Sequence, residues 1–135
     1  MEYVDYKISI TTSALQDYHK AEDYIVKKLY SNNGAFNLAK GFSETIKDLK
    51  FLPTKYPLCK DSLLHTWGIR FVPVKNYLLF YIVREDEHKV YVIRFLYSKR
   101  NWQKILRNDI ENGRTEYAPI FKVPYVQEDV EKYGK

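Results

Sequence analysis

Apolar positions recur at two different spacings along the chain, and each spacing predicts a different kind of element. Near the N-terminus they stand two residues apart, which is typical of a strand with one face on a core. These residues are Val4, Tyr6, Ile8 and Ile10. From Gly68 to Trp102 the chain is crowded with valine, isoleucine and aromatic residues, which favour a pleated sheet. Polar breaks at residues 75–76 and 85–88 divide this region into three strands joined by antiparallel hairpins.

Between the first strand and the last three, the spacing changes to three and four and predicts two amphipathic helices. Ser13 and Gln16 fit a capping box at the start of the first helix. Its predicted apolar stripe is Leu15, Tyr18, Ala21, Ile25 and Leu29, and its polar face is Asp17, Lys20, Asp23, Lys27 and Lys28. After a break at residues 31–34 the second stripe is Ala35, Leu38, Ala39, Phe42, Ile46, Leu49 and Leu52. Pro53 ends that helix.

The order of these elements predicts an α+β fold. An N-terminal strand and a two-helix antiparallel hairpin pack on a mainly antiparallel four-stranded sheet, and a short C-terminal helix follows from about Lys99 to Arg107. We expect the helix pair to cover one face of the sheet and the other face to stay partly open. Residues 53–67 form a loop. One domain spans residues 1–109, and residues 110–135 form an extension with one short strand around residues 120–123.

Composition adds that the chain folds as a globular domain, since 45% of its 135 residues are hydrophobic and 16% are aromatic. It has no run of 18 apolar residues and no signal-peptide pattern at its N-terminus, so we expect a cytoplasmic protein without a membrane span. Cys59 is the only cysteine, and we interpret it as a small packing residue. His19, His65 and His88 lack the spacing of metal ligands, so no metal or other cofactor is expected.

The net charge of +5 is concentrated in the second half of the chain. Eleven basic and six acidic residues lie between Lys60 and Arg114, and five basic residues with no acid lie between Arg94 and Arg107. Such a patch attracts nucleic acid or an acidic protein partner. A solvated, charged helix face explains the same pattern equally well.

Several short segments, taken in order, resemble a known family. L-x-x-L-P ends the second helix at Pro53, and a Tyr-Pro pair follows in the loop. G-I-R-F-x-x-x-x-N-Y-x-x-F-Y-x-V begins at Gly68, and the last strand continues into Y-S-K-R-N-W, which ends at Trp102. This ordered set, over residues 3–107, is similar to toxins of the RelE/ParE superfamily from bacterial type II toxin–antitoxin systems.

The resemblance implies a small basic toxin that forms a hetero-oligomer with a cognate antitoxin. RelE-type toxins cut mRNA in the ribosome, whereas ParE-type toxins inhibit DNA gyrase without being nucleases. We expect ribosome-dependent mRNA cleavage, with the ribosome and mRNA as further partners. The alternatives are a ParE-like inhibitor of gyrase and a non-toxic nucleic-acid-binding module.

RNA cleavage needs a base for the ribose hydroxyl, cations for the phosphate and an acid for the leaving oxygen. In RelE-like nucleases these groups are arginine, lysine and tyrosine, or a glutamate and a histidine. The resemblance therefore implies catalytic candidates, Tyr97, Lys99, Arg100 and Arg70, and nucleic-acid-binding candidates, Arg94, Lys104 and Arg107. Tyr97 stands where many relatives have a histidine or another polar residue. Because a tyrosine is a poor base at neutral pH, its expected role is that of an acid or a base-stacking ring.

One position departs from the nuclease pattern. Nuclease relatives typically carry an arginine directly after the tyrosine of the third strand, and here Tyr77 is followed by Leu78. A phosphate-binding charge is therefore missing, unless Arg70 on the neighbouring strand supplies it. By alternation, Arg70 shares a face with Val72 and Val74.

Overall fold

The computed structural model describes residues 4–113 of the chain. The strands are β1 (Lys7–Ile10), β2 (Ile69–Val74), β3 (Tyr77–Arg84) and β4 (Lys89–Tyr97), and the helices are α1 (Thr12–Lys27), α2 (Asn32–Phe51), α3 (Ser62–Thr66) and α4 (Trp102–Glu111). A single 3-10 turn, Pro53–Lys55, follows α2. None of the helices in this part of the chain is long and apolar enough to span a membrane. The strand predicted around residues 120–123 lies outside the described residues.

The predicted α+β fold is confirmed. The four strands form one sheet in the order β1-β4-β3-β2, in which β1 runs parallel to β4 and the two other pairs are antiparallel. Both hairpin turns fall at the predicted polar breaks, residues 75–76 and 85–88. The inner strand β3 is buried on both faces from Leu78 to Ile82, which requires a covering layer on each side of the sheet.

The helix pair α1 and α2 covers one face, as predicted. Its buried side chains pack with those of the sheet in one cluster: Ala14, Ala21, Leu38, Leu49, Val72, Val74, Leu79, Tyr81, Val90, Val92 and Phe95. Tyr18 and Phe42 link the two helices to Phe95 through ring contacts of 4.8 to 5.8 Å between centroids. This side of the sheet is therefore a closed aromatic and aliphatic core.

The start and the buried face of α1 differ from the prediction. The N-cap is Thr11, whose side chain accepts a hydrogen bond from the Ala14 amide, so the capping box at Ser13 was wrong by two residues. The buried face begins at Ala14, which is fully buried, and not at Leu15, which is 47% exposed. Leu29, the last residue of the predicted stripe, lies beyond the end of α1 and is 56% exposed. Small residues at positions 13, 14 and 21 allow α1 to approach the sheet closely.

The second face of the sheet is covered, so the prediction of a partly open face was wrong. Helices α3 and α4 lie over it. Helix α4 was predicted, although from about Lys99 to Arg107 instead of Trp102–Glu111, whereas α3 was not predicted. The buried cluster on this side is Cys59, Leu64, Ile69, Leu78, Phe80, Ile82, Ile93, Leu96 and Leu106. Trp102 closes it, with its ring 5.1 Å from Phe80 and 6.2 Å from Phe71. Residues 53–67, predicted as a loop, contain α3, which Asp61 caps.

Towards its C-terminal end, β4 has one edge without a neighbouring strand. Because β1 ends at Ile10, the edge of β4 beyond Val92 has no strand beside it. Thr11 continues the pairing, since its amide donates to the Val92 carbonyl and its hydroxyl donates to the Ile93 carbonyl. Six residues later the Asp17 carboxylate accepts from the Phe95 amide at 3.0 Å. Helix α1 thus supplies the hydrogen bonds that a neighbouring strand would otherwise provide.

Candidate binding cleft

A cleft of about 800 Å³ opens between the helix pair and the ends of β3 and β4. One wall is made by α1 and the start of α2, and the other by the β2–β3 turn and the end of β4. Its lining is Asp17, Lys20, Ala21, Tyr24, Ile25, Leu29, Ser31, Gly34, Asn37, Leu38, Lys75, Asn76, Tyr77, Phe95, Tyr97 and Arg100. The volume and the mixed lining are those of a site that accepts a ligand or a peptide side chain.

Aromatic rings form the floor of the cleft. Tyr77 stacks on Phe95 with 5.1 Å between ring centroids, and Tyr97 meets Tyr77 edge-on at 5.7 Å. Burial raises the pKa of Tyr77, so its hydroxyl stays protonated and acts as a hydrogen-bond donor. Tyr97 is 39% exposed at the mouth. The floor therefore offers flat apolar surface with polar tips, which suits stacking and hydrogen bonding.

Three cations surround this floor: Lys20 on α1, Lys75 in the β2–β3 turn and Arg100 after β4. Lys75 has a backbone φ of 55°, in the left-handed region that glycine and asparagine adopt with less strain. The turn therefore carries a lysine at a position where a smaller residue would be more stable, and that lysine lies on the cleft. We call Lys20, Lys75 and Arg100 the rim cations.

Arg94 was predicted to bind nucleic acid, and its guanidinium is held between two carboxylates instead of facing the cleft. It donates to both oxygens of Asp17, at 2.6 and 3.0 Å, and to Asp109 at 2.9 Å. Burial works against the charged form, but the hydrogen bonds and charges of Asp17 and Asp109 outweigh it and raise the Arg94 pKa. The arginine joins α1, β4 and α4, and we call this group the Arg94 clamp.

Arg107 and Lys104, the other two nucleic-acid-binding candidates, lie on α4 on the far side of the sheet. Arg107 makes a two-pronged ion pair with Asp61, with both distances 2.8 Å. This pair joins α4 to the first turn of α3. Lys104 is exposed, and the paired side chain of Arg107 is 39% exposed.

Because Asp61 is paired with Arg107, we expect the protein to lose stability in acid. The hydrogen bond from Arg107 lowers the pKa of Asp61; burial opposes the shift, and the Leu64 amide and the Arg107 charge strengthen it. Since the folded-state pKa lies below the unfolded value of about 3.9, the stabilisation is present above that pH and is lost as pH falls through the folded value. We expect the free energy of unfolding, measured with urea, to fall less between pH 6 and pH 2.5 in Asp61→Asn than in the parent chain. Asp23→Asn, at an exposed site on α1, should keep the parent's slope; equal slopes in all three would contradict the prediction.

Arg70, the fourth catalytic candidate, lies apart from the other three. Its guanidinium donates to the carbonyls of Thr54 and Tyr56, at 3.2 and 2.6 Å, and so holds the turn that follows α2 against the sheet. In the sheet Arg70 pairs with Tyr81, whereas Tyr97 pairs with Tyr77. The partner residues Tyr77 and Tyr81 are four residues apart along β3, which corresponds to about 13 Å. Arg70 and Tyr97 thus lie far apart in the sheet. The predicted set of four is therefore not brought together.

Tyr97, Lys99 and Arg100 do lie together, in the turn between β4 and α4. The Ser98 amide donates to the Asn76 carbonyl at 2.9 Å, and the Arg100 amide donates to the Tyr97 carbonyl at 3.0 Å. Tyr97 and Arg100 line the cleft. Lys99 is exposed next to it.

The chain offers little for metal or thiol chemistry within residues 4–113. No group of three histidine, cysteine, aspartate or glutamate side chains is close enough there to hold a metal ion. Cys59 is fully buried, and burial, together with the Asp61 charge, raises its pKa to about 12. A thiol in that state is a packing group rather than a nucleophile.

Sequence reasoning missed Asp17, which it placed on the solvent face of α1. A signal was present: Ser13 and Ala21, four residues before and after Asp17, are both small, so this face of the helix approaches another element closely. It also missed Lys75 and Tyr24, because the helices and the β2–β3 turn meet at the cleft only in the tertiary structure.

Comparison with known proteins shows which family the chain is similar to. Residues 8–102 match the family model described as the ParE toxin of type II toxin–antitoxin system, parDE. Among solved structures, the chain is similar to one of the chromosomal ParDE system from P. aeruginosa, with 16% identity, a TM-score of 0.51, and coverage of 70% of this chain and 97% of that one. It also matches the isolated E. coli RelE toxin, at 15% identity, a TM-score of 0.42, and coverage of 76% and 97%. No curated protein matches it by sequence.

The family model covers most of the fold described above, from β1 to the first residue of α4. The predicted RelE/ParE resemblance is thereby confirmed, and membership of such a family implies an antitoxin as partner. This chain belongs to the ParE toxin family of type II toxin–antitoxin systems, within the RelE/ParE superfamily.

Proposed function

We propose that this toxin acts by binding a protein target, DNA gyrase, rather than by cutting RNA. One observation carries the proposal. Within the described residues, the cleft lining has a single carboxylate, Asp17, and no histidine. Both oxygens of Asp17 accept hydrogen bonds from Arg94, and one accepts a further bond from Phe95. The cleft therefore holds no carboxylate or imidazole that is available to take a proton from a ribose hydroxyl, and a tyrosine, which the other set of nuclease groups offers, is a poor base at neutral pH.

The rest of the site supports binding. Exposed apolar side chains, Tyr24 and Leu29, stand beside the rim cations. A surface of aromatic rings and a few cations is typical of the centre of a protein interface. Leu78, where nuclease relatives typically carry an arginine, is 9% exposed and lies in the core of the second face. A side chain at that position points away from the cleft, which agrees with the absence of a phosphate-binding charge there.

Ribosome-dependent mRNA cleavage, expected from the sequence, remains the second candidate. It is favoured by Tyr97, Lys99 and Arg100, which follow one another within four residues at the end of β4, with Tyr97 and Lys99 exposed. Two cations beside a hydroxyl would bind a phosphate and donate a proton to it. Arg70 does not contribute to this group, since it is bonded to the backbone of the turn after α2.

The antitoxin is proposed to lie across the helix pair and the end of the sheet, with acidic side chains against the rim cations. Charge complementarity supports this arrangement, since the chain has a net charge of +5. A toxin of either mechanism would act in the cytoplasm, where both gyrase and the ribosome are found.

One set of assays with the purified full chain distinguishes the two mechanisms. We expect it to inhibit supercoiling of relaxed plasmid by DNA gyrase and to leave mRNA intact in a translating ribosome assay. Lys99→Ala with Arg100→Ala should weaken that inhibition roughly tenfold, because two cations leave the contact surface. Lys47→Ala with Lys60→Ala removes the same charge from exposed sites outside the cleft and should inhibit like the parent.

Two results would overturn the proposal. Codon-phased mRNA cuts with normal supercoiling would establish the nuclease. No effect on supercoiling, mRNA or the growth of an expressing host would exclude both candidate activities.

A further inference from the structure

Aromatic and basic side chains alternate along the outer surface of α2. We propose that this surface, which we call the α2 stripe, binds a single strand of nucleic acid. Its phenylalanine rings stack on unpaired bases and its lysines contact the phosphates. None of its residues lines the cleft, and the inference holds for either candidate activity. The α2 stripe consists of Phe36, Lys40, Ser43, Lys47, Lys50 and Phe51.

Helical periodicity places these residues on one face of α2. At about 100° per residue, all six fall within a sector of about 100°. Leu38 and Leu49, the buried residues of α2, point to the opposite side, and the six stripe residues are all exposed. From Phe36 to Phe51 the stripe is about 22 Å long at 1.5 Å per residue. A long, thin ligand can therefore contact the whole of it.

The two rings stand out because phenylalanine is otherwise a core residue in this fold. Phe36 is 67% exposed and Phe51 is 60% exposed. Their exposed surfaces add little to the core and are accessible for stacking. Base–aromatic stacking accepts any base, since every base has a flat face. The other phenylalanines within residues 4–113 are buried or half-buried: Phe42, Phe71, Phe80 and Phe95.

Between the rings, the α2 stripe carries positive charge. Lys40 and Lys47 are about 10 Å apart along the helix, and neither makes an ion pair within residues 4–113. Helix α2 has two acidic residues. One of them, Asp48, is already bound by Lys55 and Tyr56, which leaves Glu44 beside three lysines. The net charge of this surface is therefore positive, and it attracts a polyanion.

The order of residues along the stripe favours a nucleic acid over a protein or a membrane. No apolar side chain of the stripe stands between the two rings. The centre of a protein interface is apolar and poor in lysine, and a helix that lies on a membrane needs a continuous apolar face. A single strand instead offers flat bases and charged phosphates side by side. The length of the stripe corresponds to about six nucleotides at about 3.4 Å each.

Fluorescence anisotropy of a fluorescein-labelled oligothymidylate, about ten nucleotides long, measures binding to the full chain at several salt concentrations. Phe36→Ala with Phe51→Ala should weaken binding at least tenfold and keep the salt dependence, because stacking is lost and the phosphate contacts stay. Lys40→Ala with Lys47→Ala should instead reduce the slope of log affinity against log salt by about 1.4. Each phosphate contact to a single strand contributes about 0.7 to that slope.

Two controls are matched to these variants. Lys60→Ala with Lys104→Ala removes the same charge from exposed sites outside α2 and should keep the parent's slope. The oligothymidylate paired with its complement hides its bases, so the phenylalanine variant should bind this duplex as the parent does. A relaxed plasmid is also a duplex without unpaired bases, and Lys47 therefore stays a valid control position in the supercoiling assay.

Three results would overturn the inference. No binding of the oligothymidylate at low salt would exclude a nucleic acid and leave an acidic protein as the ligand of the stripe. Binding that the phenylalanine variant does not weaken would exclude stacking on the two rings. Equal losses of slope in the Lys40/Lys47 and Lys60/Lys104 variants would show that the strand follows the total charge of the chain and not the α2 stripe.

Discussion

Asp17→Ala is expected to lower the free energy of unfolding by about 3 kcal/mol or more, because it breaks the buried Arg94 clamp. Arg94 is 14% exposed and would keep only its bond to Asp109. The Phe95 amide would also lose its acceptor at the free edge of β4, which adds the cost of a buried, unpaired donor. Urea denaturation, followed by circular dichroism, measures the change.

Two further variants separate the contributions within the clamp. Asp17→Asn keeps an acceptor for the Phe95 amide and should cost about 1 kcal/mol less than Asp17→Ala. Asp23→Ala removes a carboxylate from the exposed face of the same helix and should change stability by less than about 0.5 kcal/mol. If Asp17→Ala costs no more than Asp23→Ala, Asp17 is a solvated residue and the clamp does not hold the fold together.

Phe80→Ala is expected to lower the free energy of unfolding by about 3 to 5 kcal/mol. Phe80 is fully buried at the centre of the second face of the sheet, in ring contact with Trp102 and Phe71. Removing its ring leaves a cavity between the sheet and α4. The same denaturation experiment measures the loss, and tryptophan fluorescence reports the change around Trp102.

Phe36→Ala is the control for this loss, because Phe36 is 67% exposed on α2. Its replacement removes the same side chain from a site where little apolar area is buried, so stability should change by about 0.5 kcal/mol at most. Equal costs for Phe80→Ala and Phe36→Ala would mean that the second face is open, as the sequence pattern alone suggested.

Hydrophobic spacing predicted the sheet better than it predicted the layers on it. The β3 segment from Leu78 to Ile82 is apolar at every position, which indicates a strand buried on both faces. The covering layer was nevertheless missed on one side, because α3 has only five residues, too few for a helical period to be recognised. On that side the ring of Trp102 covers the sheet and contacts Phe80.

The run of basic residues in the sequence did not show which cations are available at the cleft. Arg94 and Arg107 stand in a run of basic residues without an acid, yet each makes an ion pair with a residue at least 15 positions away. Sequence distance hides such partners, since Asp17 and Asp61 come from other elements of the fold. Lys75, in contrast, attracted no interpretation because it stands in a two-residue turn, and the turn brings it to the cleft.

The sequence by itself determined the order of the four strands and of α1, α2 and α4, the two hairpins and the family, because each depends on residue patterns within short segments of the chain. Only the tertiary structure decided which cations are available, and where the apolar cleft lies. Ion pairs and clefts form between residues distant in sequence, such as Asp17 with Arg94 and Tyr24 with Tyr97. Their geometry follows from how the layers pack, and that packing is set by the whole core at once.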